Sequence, residues 1–141
     1  MSRRSASLVS TMILIAGAAA LATADDAAIA QAKTSAHSFL ALIDGQQYGE
    51  GWKAAGQLVR AAVDQDEWTR KLSVTLGPLG KKTSRGAKSS EFKTTMPGAP
   101  DGEYVVLQYD TAFENKQSAV ETVILMKESD GLWRVAGYNI R

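Results

Sequence analysis

The sequence predicts an α+β domain in which three N-terminal helices pack on a four-stranded antiparallel meander sheet. Apolar residues recur at three- and four-residue steps up to residue 76, which is typical of amphipathic helices. From residue 87 onward they alternate with polar residues, which is typical of strands. Short separators rich in turn-forming residues join the alternating segments, so antiparallel hairpins are expected. Helices segregated to one face of such a sheet give the α+β class.

The N-terminal segment predicts an export signal. Arg3 and Arg4 precede an uncharged apolar run, residues 8–22, of about the length expected for a signal peptide. An uncleaved anchor helix is the alternative interpretation. Polar residues and a glycine interrupt the run, which makes it marginal against the roughly 20 residues that a membrane span needs. The signal-peptide interpretation is therefore preferred, and the export route stays open.

Cleavage is predicted after Ala24, with the site after Ala22 as the second choice, because small residues flank both sites. Residues 1–24 are then a signal peptide and residues 25–141 a single α+β domain of ordinary size. The mature protein is expected to be periplasmic or secreted, and to have no stable membrane span after cleavage.

The three helices are predicted in the first half of the mature chain. The first begins at Asp26 and closes at Asp44. The second covers residues 48–62 and is weakened by three glycines, each of which costs up to about 1 kcal/mol in a helix interior. The third begins at Asp64, whose side chain is suited to cap a helix, and ends before Pro78, which cannot continue the hydrogen-bond ladder.

The four strands are predicted at residues 87–95, 103–113, 118–127 and 132–140. A four-residue turn between the second and third strands would place Asp110 directly opposite Glu121. It would also place Ile124 on the face that packs against the helices, together with Trp133 on the fourth strand. The other face of the sheet would then carry the polar residues.

A polar cluster on that outer face supplies the candidate catalytic residues, Asp110 and Glu121. Two facing carboxylates repel, and Arg134 on the neighbouring strand is the cation expected to hold both ionised. One interpretation is a solvated structural cluster, in which such pairs contribute roughly 0–1 kcal/mol. The other is a binding or acid/base site, in which one carboxylate raises the pKa of the other. A one-residue bulge would separate the pair.

Aromatic residues supply most of the candidate binding residues. Tyr48 begins the second helix next to two glycines and is suited to line the mouth of a cavity. Trp52 lies at helical spacing, where an indole is more typical of a core than of a ligand platform. The complete set of candidate binding residues is Tyr48, Trp52, Tyr109, Arg134 and Tyr138.

One basic cluster follows the third helix and consists of Lys81, Lys82, Arg85 and Lys88. One interpretation is that these charges keep a sheet edge from pairing with another chain. The alternative is contact with an anionic partner, such as lipid headgroups or an envelope polysaccharide.

Composition excludes several classes of protein. The chain has 16 Lys and Arg against 15 Asp and Glu, which excludes a polybasic nucleic-acid binder and an acidic tail. It has no Cys, so disulfide scaffolds, thiolate metal sites and thiol nucleophiles are excluded. His37 is its one histidine, which excludes a site with two imidazoles. No phosphate-cradling loop or nucleophile elbow is visible either. We therefore expect no metal, no cofactor and no nucleic-acid partner.

Several segments resemble a bacterial family of small exported proteins known only as domain of unknown function 4019. The resemblance is carried by residues 97–111, 113–116, 120–123 and 133–138, and by Tyr48, Trp52, Trp68 and residues 77–80. By analogy of architecture, three helices in the hollow of a curved sheet are similar to the nuclear-transport-factor-2-like cone. That fold hosts enzymes, binding modules and assembly domains, so it does not choose a function. Cone folds often dimerise through the outer sheet face, which makes a homodimer one expectation.

Two function classes stay open. The first is a non-catalytic exported module that binds a small apolar ligand or an envelope protein through the cone. The alternative is a small cofactor-free enzyme, a lyase, isomerase or hydrolase, that uses Asp110 or Glu121 as acid or base. An enclosed cavity into which one of these carboxylates points would distinguish the two, and the first class is preferred.

Overall fold

A computed structural model describes residues 23–141, so the predicted signal peptide lies almost entirely outside the described residues. Four α-helices precede four β-strands in this range, which confirms the α+β class. The helices are α1 Ala24–Asp44, α2 Tyr48–Ala54, α3 Gln57–Ala62 and α4 Gln65–Leu76, and a 3-10 turn, Gly77–Leu79, follows. The strands are β1 Lys82–Lys93, β2 Tyr104–Phe113, β3 Lys116–Lys127 and β4 Trp133–Ile140. They form an open sheet in the order β1-β2-β3-β4, with every neighbouring pair antiparallel.

Polar side chains fix the starts of the two long helices. At α1 the Thr23 hydroxyl accepts a hydrogen bond from the Asp26 N–H at 3.1 Å, and the Asp26 carboxylate accepts one from the Thr23 N–H at 3.3 Å. This reciprocal pair is a capping box. At α4 the Asp64 carboxylate accepts a hydrogen bond from the Glu67 N–H at 2.8 Å, as its position in the sequence predicts.

The predicted second helix, residues 48–62, is divided into α2 and α3 by an extended residue, Ala55. The next residue, Gly56, donates its N–H to the Val135 carbonyl oxygen at 2.8 Å. A Cβ atom on Gly56 would lie 3.2 Å from the Arg134 Cβ and 3.3 Å from the Val135 carbonyl oxygen. The helix therefore breaks where its backbone bonds directly to β4.

The register of β2 on β3 differs by one residue from the predicted register, which was wrong. Tyr109, and not Asp110, lies opposite Glu121. The turn consists of two residues, Glu114 and Asn115, and a β-bulge interrupts the ladder just before it. Because side chains alternate between faces, a shift of one residue exchanges the two faces of β3.

The core lies between the helices and the inner face of the sheet. Glu121, Val123 and Leu125 point inward on β3 and are fully buried. Ile124, which was predicted to face the helices, lies half-buried on the outer face. The inward orientation predicted for Trp133 is confirmed, since it is buried in the core. Within residues 23–141, no helix is both long enough and apolar enough to cross a membrane.

Candidate functional site

Glu121 is the centre of the candidate site. It is 0 % exposed and lies on the core face of the sheet, between side chains that are otherwise mostly apolar. An ionised carboxylate in such a position is strongly disfavoured unless charges and hydrogen bonds compensate it. Its partners are therefore the first question about the site.

Four hydrogen bonds satisfy the Glu121 carboxylate. Arg85 donates from Nε to Oε1 at 2.7 Å and from Nη2 to Oε2 at 3.2 Å. The Thr111 hydroxyl donates to Oε1 at 2.6 Å, and the Tyr138 hydroxyl donates to Oε2 at 2.5 Å. A carboxylate offers about four lone-pair positions. The acceptor capacity of Glu121 is thus fully used by protein donors.

Arg85 joins Glu121 to a second carboxylate, Asp44, at the end of α1. Its Nη1 and Nη2 atoms each donate to one Asp44 oxygen at 2.8 Å, which is the bidentate geometry that a guanidinium favours. The Lys82 ammonium lies 3.3 Å from the same carboxylate. Arg85 is 12 % exposed, so its charge is largely withdrawn from water.

The sheet register brings these groups together. Arg85 on β1 is the direct partner of Thr111 on β2, and both side chains lie on the inner face beside Glu121 on β3. Tyr138 on β4 is the direct partner of Val123, two residues from Glu121. The network therefore ties all four strands together and, through Asp44, fastens α1 to the edge strand. We call Asp44, Arg85, Thr111, Glu121 and Tyr138 the carboxylate network.

The network shifts the pKa values of its members in opposite directions. Burial raises the pKa of Tyr138, and the charge of Glu121 raises it further. Burial alone would raise the pKa of Asp44, but hydrogen bonds and positive charge from Arg85 and Lys82 outweigh it and hold that pKa below its ordinary value. Burial opposes the charge of Arg85, but its two carboxylate partners outweigh burial and raise its pKa. These shifts favour an ionised Asp44, a cationic Arg85 and a neutral Tyr138.

Tyr109 lies beside the carboxylate network without joining it. It is directly opposite Glu121 on the inner face and is buried. Its hydroxyl has no hydrogen-bond partner within residues 23–141. Burial raises its pKa, so this hydroxyl stays neutral. It is a buried donor that the fold leaves unsatisfied.

A cavity of about 310 Å³ opens beside the network, between the ends of α1 and α4 and the β2–β3 turn. Ile43, Leu76 and Phe113 supply apolar parts of its wall. Glu121 and Tyr138 from the network also reach its lining. The inner face of the sheet and the helices therefore border a partly open cavity whose lining includes a buried carboxylate.

The charged residues at this cavity balance one another. The carboxylates are those of Asp44, Glu114 and Glu121, and the cations at the wall or directly behind it are Lys81, Lys82 and Arg85. Three negative and three positive charges leave no net charge, so the site has no strong preference for a charged molecule.

Tyr48 and Gln46 place uncommitted hydrogen-bonding groups at the cavity. Tyr48 is 9 % exposed and lines the cavity, and burial raises the pKa of its hydroxyl. That hydroxyl has no hydrogen-bond partner within residues 23–141. Gln46 also lines the cavity, and its backbone has a φ of 58°, in the left-handed region that favours glycine. This left-handed residue ends α1, since its N–H donates to the Ile43 carbonyl oxygen at 3.0 Å and the Gln47 N–H donates to the Leu42 carbonyl oxygen at 2.9 Å.

The predicted triad of Asp110, Glu121 and Arg134 does not form. Asp110 lies opposite Val120, is exposed on the outer face, and has the Lys88 ammonium 3.4 Å from its carboxylate. The physical reason is the β-bulge between Thr111 and Phe113, which shifts the register by one residue, turns Glu121 to the inner face and leaves Asp110 on the outer face.

Arg134 is paired elsewhere. Its Nη1 atom donates to Glu128 at 2.7 Å, and its Nη2 atom lies 2.9 Å from Asp130. These partners belong to the β3–β4 turn. Arg134 therefore acts as a brace for a surface turn and does not neutralise Glu121.

The candidate aromatic residues divide into two groups. Tyr48 and Tyr138 both line the cavity, as Glu121 does, and Tyr109 is buried in the core opposite Glu121. Trp52 is part of the packing between helices, since its Nε1 donates to the Val63 carbonyl oxygen at 2.9 Å. The cavity therefore includes two of the five predicted binding residues.

Sequence reasoning missed Arg85, Asp44 and Gln46 as parts of the site. Arg85 was placed in a basic cluster at a sheet edge, and its bonds to Asp44 and Glu121 join residues 41 and 36 positions apart. The sequence signal that could have revealed the site lies on β3, where Glu121 shares one face of the strand with apolar residues. Within residues 23–141, no three His, Asp or Glu side chains are grouped in a way that could hold a metal ion.

Comparison with known families gives one match. The family described as "Protein of unknown function (DUF4019)" matches residues 35–138, which includes every member of the carboxylate network and every cavity residue named above. A search of curated proteins finds no match to the chain.

Proposed function

The chain belongs to the DUF4019 family, and because that description assigns no activity, we propose a function from the cavity itself. The mature protein is an exported, non-catalytic module that binds a small, mostly apolar molecule between its helices and the inner face of its sheet. The observation that carries this proposal is the cavity, whose buried carboxylate is already saturated by protein donors.

The saturation of Glu121 argues against the enzyme alternative. A general base must accept a proton from a substrate within hydrogen-bond reach. All four acceptor positions of Glu121 are occupied, two of them by Arg85, whose charge also stabilises the ionised carboxylate. Asp110, the other predicted acid or base, lies on the opposite face of the sheet from the cavity. Neither carboxylate is placed to exchange a proton with a bound molecule.

The size and lining of the cavity support a small ligand. Its volume of about 310 Å³ corresponds to on the order of ten water molecules, since each occupies about 30 Å³ in the liquid. A ligand of roughly ten non-hydrogen atoms would fill it, at the small end of the usual range. Ile43, Leu76 and Phe113 would bury its apolar part, at about 25 cal/mol per Å² of surface removed from water.

We also propose that the protein is exported and that its helices and sheet form a cone-like fold. Arg3, Arg4 and the apolar run support cleavage of a signal peptide and a periplasmic or secreted mature protein. Cleavage is proposed after Ala24, with the site after Ala22 as the second choice, because small residues flank both sites. N-terminal sequencing of the mature protein should therefore begin at Asp25, with Thr23 as the second choice, and an intact Met1 in a membrane fraction would contradict export.

Native mass spectrometry of the mature protein, purified from the compartment to which it is exported, tests the binding proposal. We expect a retained small molecule that is lost on denaturation. An adduct of protein size would instead indicate an envelope-protein partner, and a doubled mass would indicate a homodimer. Purification without any retained species, together with failure to bind the small probes named below, would contradict the proposal.

A matched pair of glycine variants locates the binding. Gly77 lines the cavity, and a Cβ atom there would meet no atom within 4 Å, so Gly77→Leu can be accommodated and should obstruct the ligand. Gly86 is also free of contacts but lies on β1, away from the cavity lining. Gly86→Leu should leave binding unchanged. Equal binding by both variants would place the ligand outside this cavity.

A further inference from the structure

The uncommitted hydrogen-bonding groups at the cavity indicate what kind of molecule it takes. We infer that the ligand is a small neutral molecule with one hydrogen-bond acceptor, such as a ketone or aldehyde oxygen, and a compact apolar body. The acceptor lies against Tyr48 and Gln46, and the apolar body lies against Ile43, Leu76 and Phe113. This inference rests on the proposed binding function and makes its chemistry specific.

Charge argues for a neutral ligand. Asp44 is held by Arg85 and Lys82, and Glu121 by Arg85, so these carboxylates have no need of an incoming cation. An anion would find Lys81 and Lys82 at the mouth, but the carboxylates around them cancel their field. A charged ligand would also lose its hydration on entry, a loss that a wall without net charge does not repay.

The free donors argue for an acceptor on the ligand. The Tyr48 residue is 9 % exposed, and its hydroxyl, which has no protein partner in the part of the chain that the structure describes, still contacts solvent at the cavity. A pure hydrocarbon would cover this hydroxyl and the Gln46 amide without offering them a hydrogen bond, and an unsatisfied buried donor is costly. A carbonyl oxygen has two lone pairs, so one atom can accept from both groups.

The end of α1 places Gln46 at the cavity wall. The Gln46 N–H donates to the Ile43 carbonyl oxygen at 3.0 Å and the Gln47 N–H to the Leu42 carbonyl oxygen at 2.9 Å, which is the usual pattern of a left-handed residue that ends a helix. A glycine would adopt its φ of 58° without strain, so the amide side chain is not required by the turn itself. Gln46 and Tyr48 are separated by one residue at the start of α2, so a single short segment presents both donors.

Three probes of equal size and nearly equal shape test the inference: acetophenone, α-methylstyrene and benzoate. The first has a carbonyl oxygen where the second has a methylene group, and the third carries a negative charge. Titration of the full mature chain, followed by NMR chemical-shift changes, should show acetophenone binding about tenfold more tightly than either of the others. Tenfold is the effect of one hydrogen bond of ordinary strength.

Two substitutions identify the donors. Tyr48→Phe removes a hydroxyl that has no partner in the described chain, so the fold should be kept. It should weaken acetophenone binding about tenfold and leave α-methylstyrene binding unchanged. Gln46→Gly relieves the backbone strain, so the variant should be at least as stable as the parent, while its preference for acetophenone falls. Gly77→Leu should weaken both neutral probes equally, which controls for the location.

The outcomes separate this inference from the function on which it rests. Equal binding of acetophenone and α-methylstyrene, unaffected by Tyr48→Phe, would overturn the inference and leave an apolar binding site. Tightest binding of benzoate would overturn it in favour of an anion held by Lys81 and Lys82. Failure of all three probes to bind, in a protein that also retains no molecule on purification, would overturn the proposed function as well.

Discussion

Replacing Arg85 with methionine should be one of the most destabilising single changes outside the apolar core. The substitution keeps a long side chain but removes the positive charge and two of the four hydrogen bonds to Glu121. Glu121 is 0 % exposed, so water cannot take the place of the guanidinium. Removing one partner of a buried ion pair typically costs 3–5 kcal/mol, because the remaining charge is left uncompensated.

The matched control is Arg134→Met. Arg134 also pairs with two carboxylates, but its partners Glu128 and Asp130 lie at a surface turn that water reaches. Ion pairs in such places contribute little. The two variants therefore lose the same chemical group from the same kind of pairing, and they differ in the burial of what is left behind.

Urea unfolding followed by circular dichroism measures both losses. A domain of this size is expected to have a free energy of unfolding of about 5–15 kcal/mol, so the loss in Arg85→Met is measurable and need not prevent folding. At a urea slope of about 1–3 kcal/mol per M, its midpoint should fall by at least about 1 M. Adding Glu121→Gln should recover part of the loss, with a coupling of about 0.5–3 kcal/mol. If Arg85→Met lost no more stability than Arg134→Met, Glu121 would not depend on Arg85 and the network would be misassigned.

Three further outcomes follow from the same contacts. Tyr138→Phe should cost about 1–3 kcal/mol because it removes the shorter of the two hydrogen bonds to the buried Oε2 atom of Glu121. Tyr109→Phe should be neutral or stabilising because its hydroxyl is unpaired, and equal effects of the two changes in urea melts would contradict this. Val123→Ala should cost more than Ile124→Ala, because Val123 is fully buried and Ile124 is not, and the reverse order in the same melts would restore the register predicted from sequence. The pKa of Asp44 is lower in the folded chain than in the unfolded chain, where it is near 3.8, so its stabilising contribution is present above that pH and is lost as the pH falls below about 4. The stability of Asp44→Asn should therefore depend less steeply on pH over that range. An unchanged acid-unfolding profile would contradict the assignment.

The elements of the fold were predictable because they depend on local patterns. The spacing of apolar residues located α1 and α4 to within a few residues, and Asp64 marked the start of α4 by the capping it performs. The break after α2 was not predictable in the same way. It depends on the hydrogen bond between Gly56 and Val135, which lie far apart in the sequence.

The predicted register of β3 was wrong, and Glu121 explains why. The outer face of β3 carries Val120, Thr122, Ile124 and Met126, and the inner face carries Ala119, Glu121, Val123 and Leu125. Both sets are mostly apolar, so hydrophobicity alone separates them poorly. A hairpin with a regular turn of either two or four residues leaves Glu121 on the outer face, and the β-bulge between Thr111 and Phe113 turns it inward. A buried, fully paired glutamate therefore made the true core face look like the solvent face.

The same residue shows why the site had to be found in the structure. A buried carboxylate is tolerated only when its partners are in place, and those of Glu121 come from β1, β2 and β4. Arg85 gave no local sign of its role, since it lies on a strand that is exposed almost throughout, among lysines that do face water. The role of Arg85 follows only once the β1–β2 register places it beside Thr111. An acidic residue that faces the core of a sheet therefore requires partners on the neighbouring strands. For Glu121 these partners could be identified only after the strand register was known.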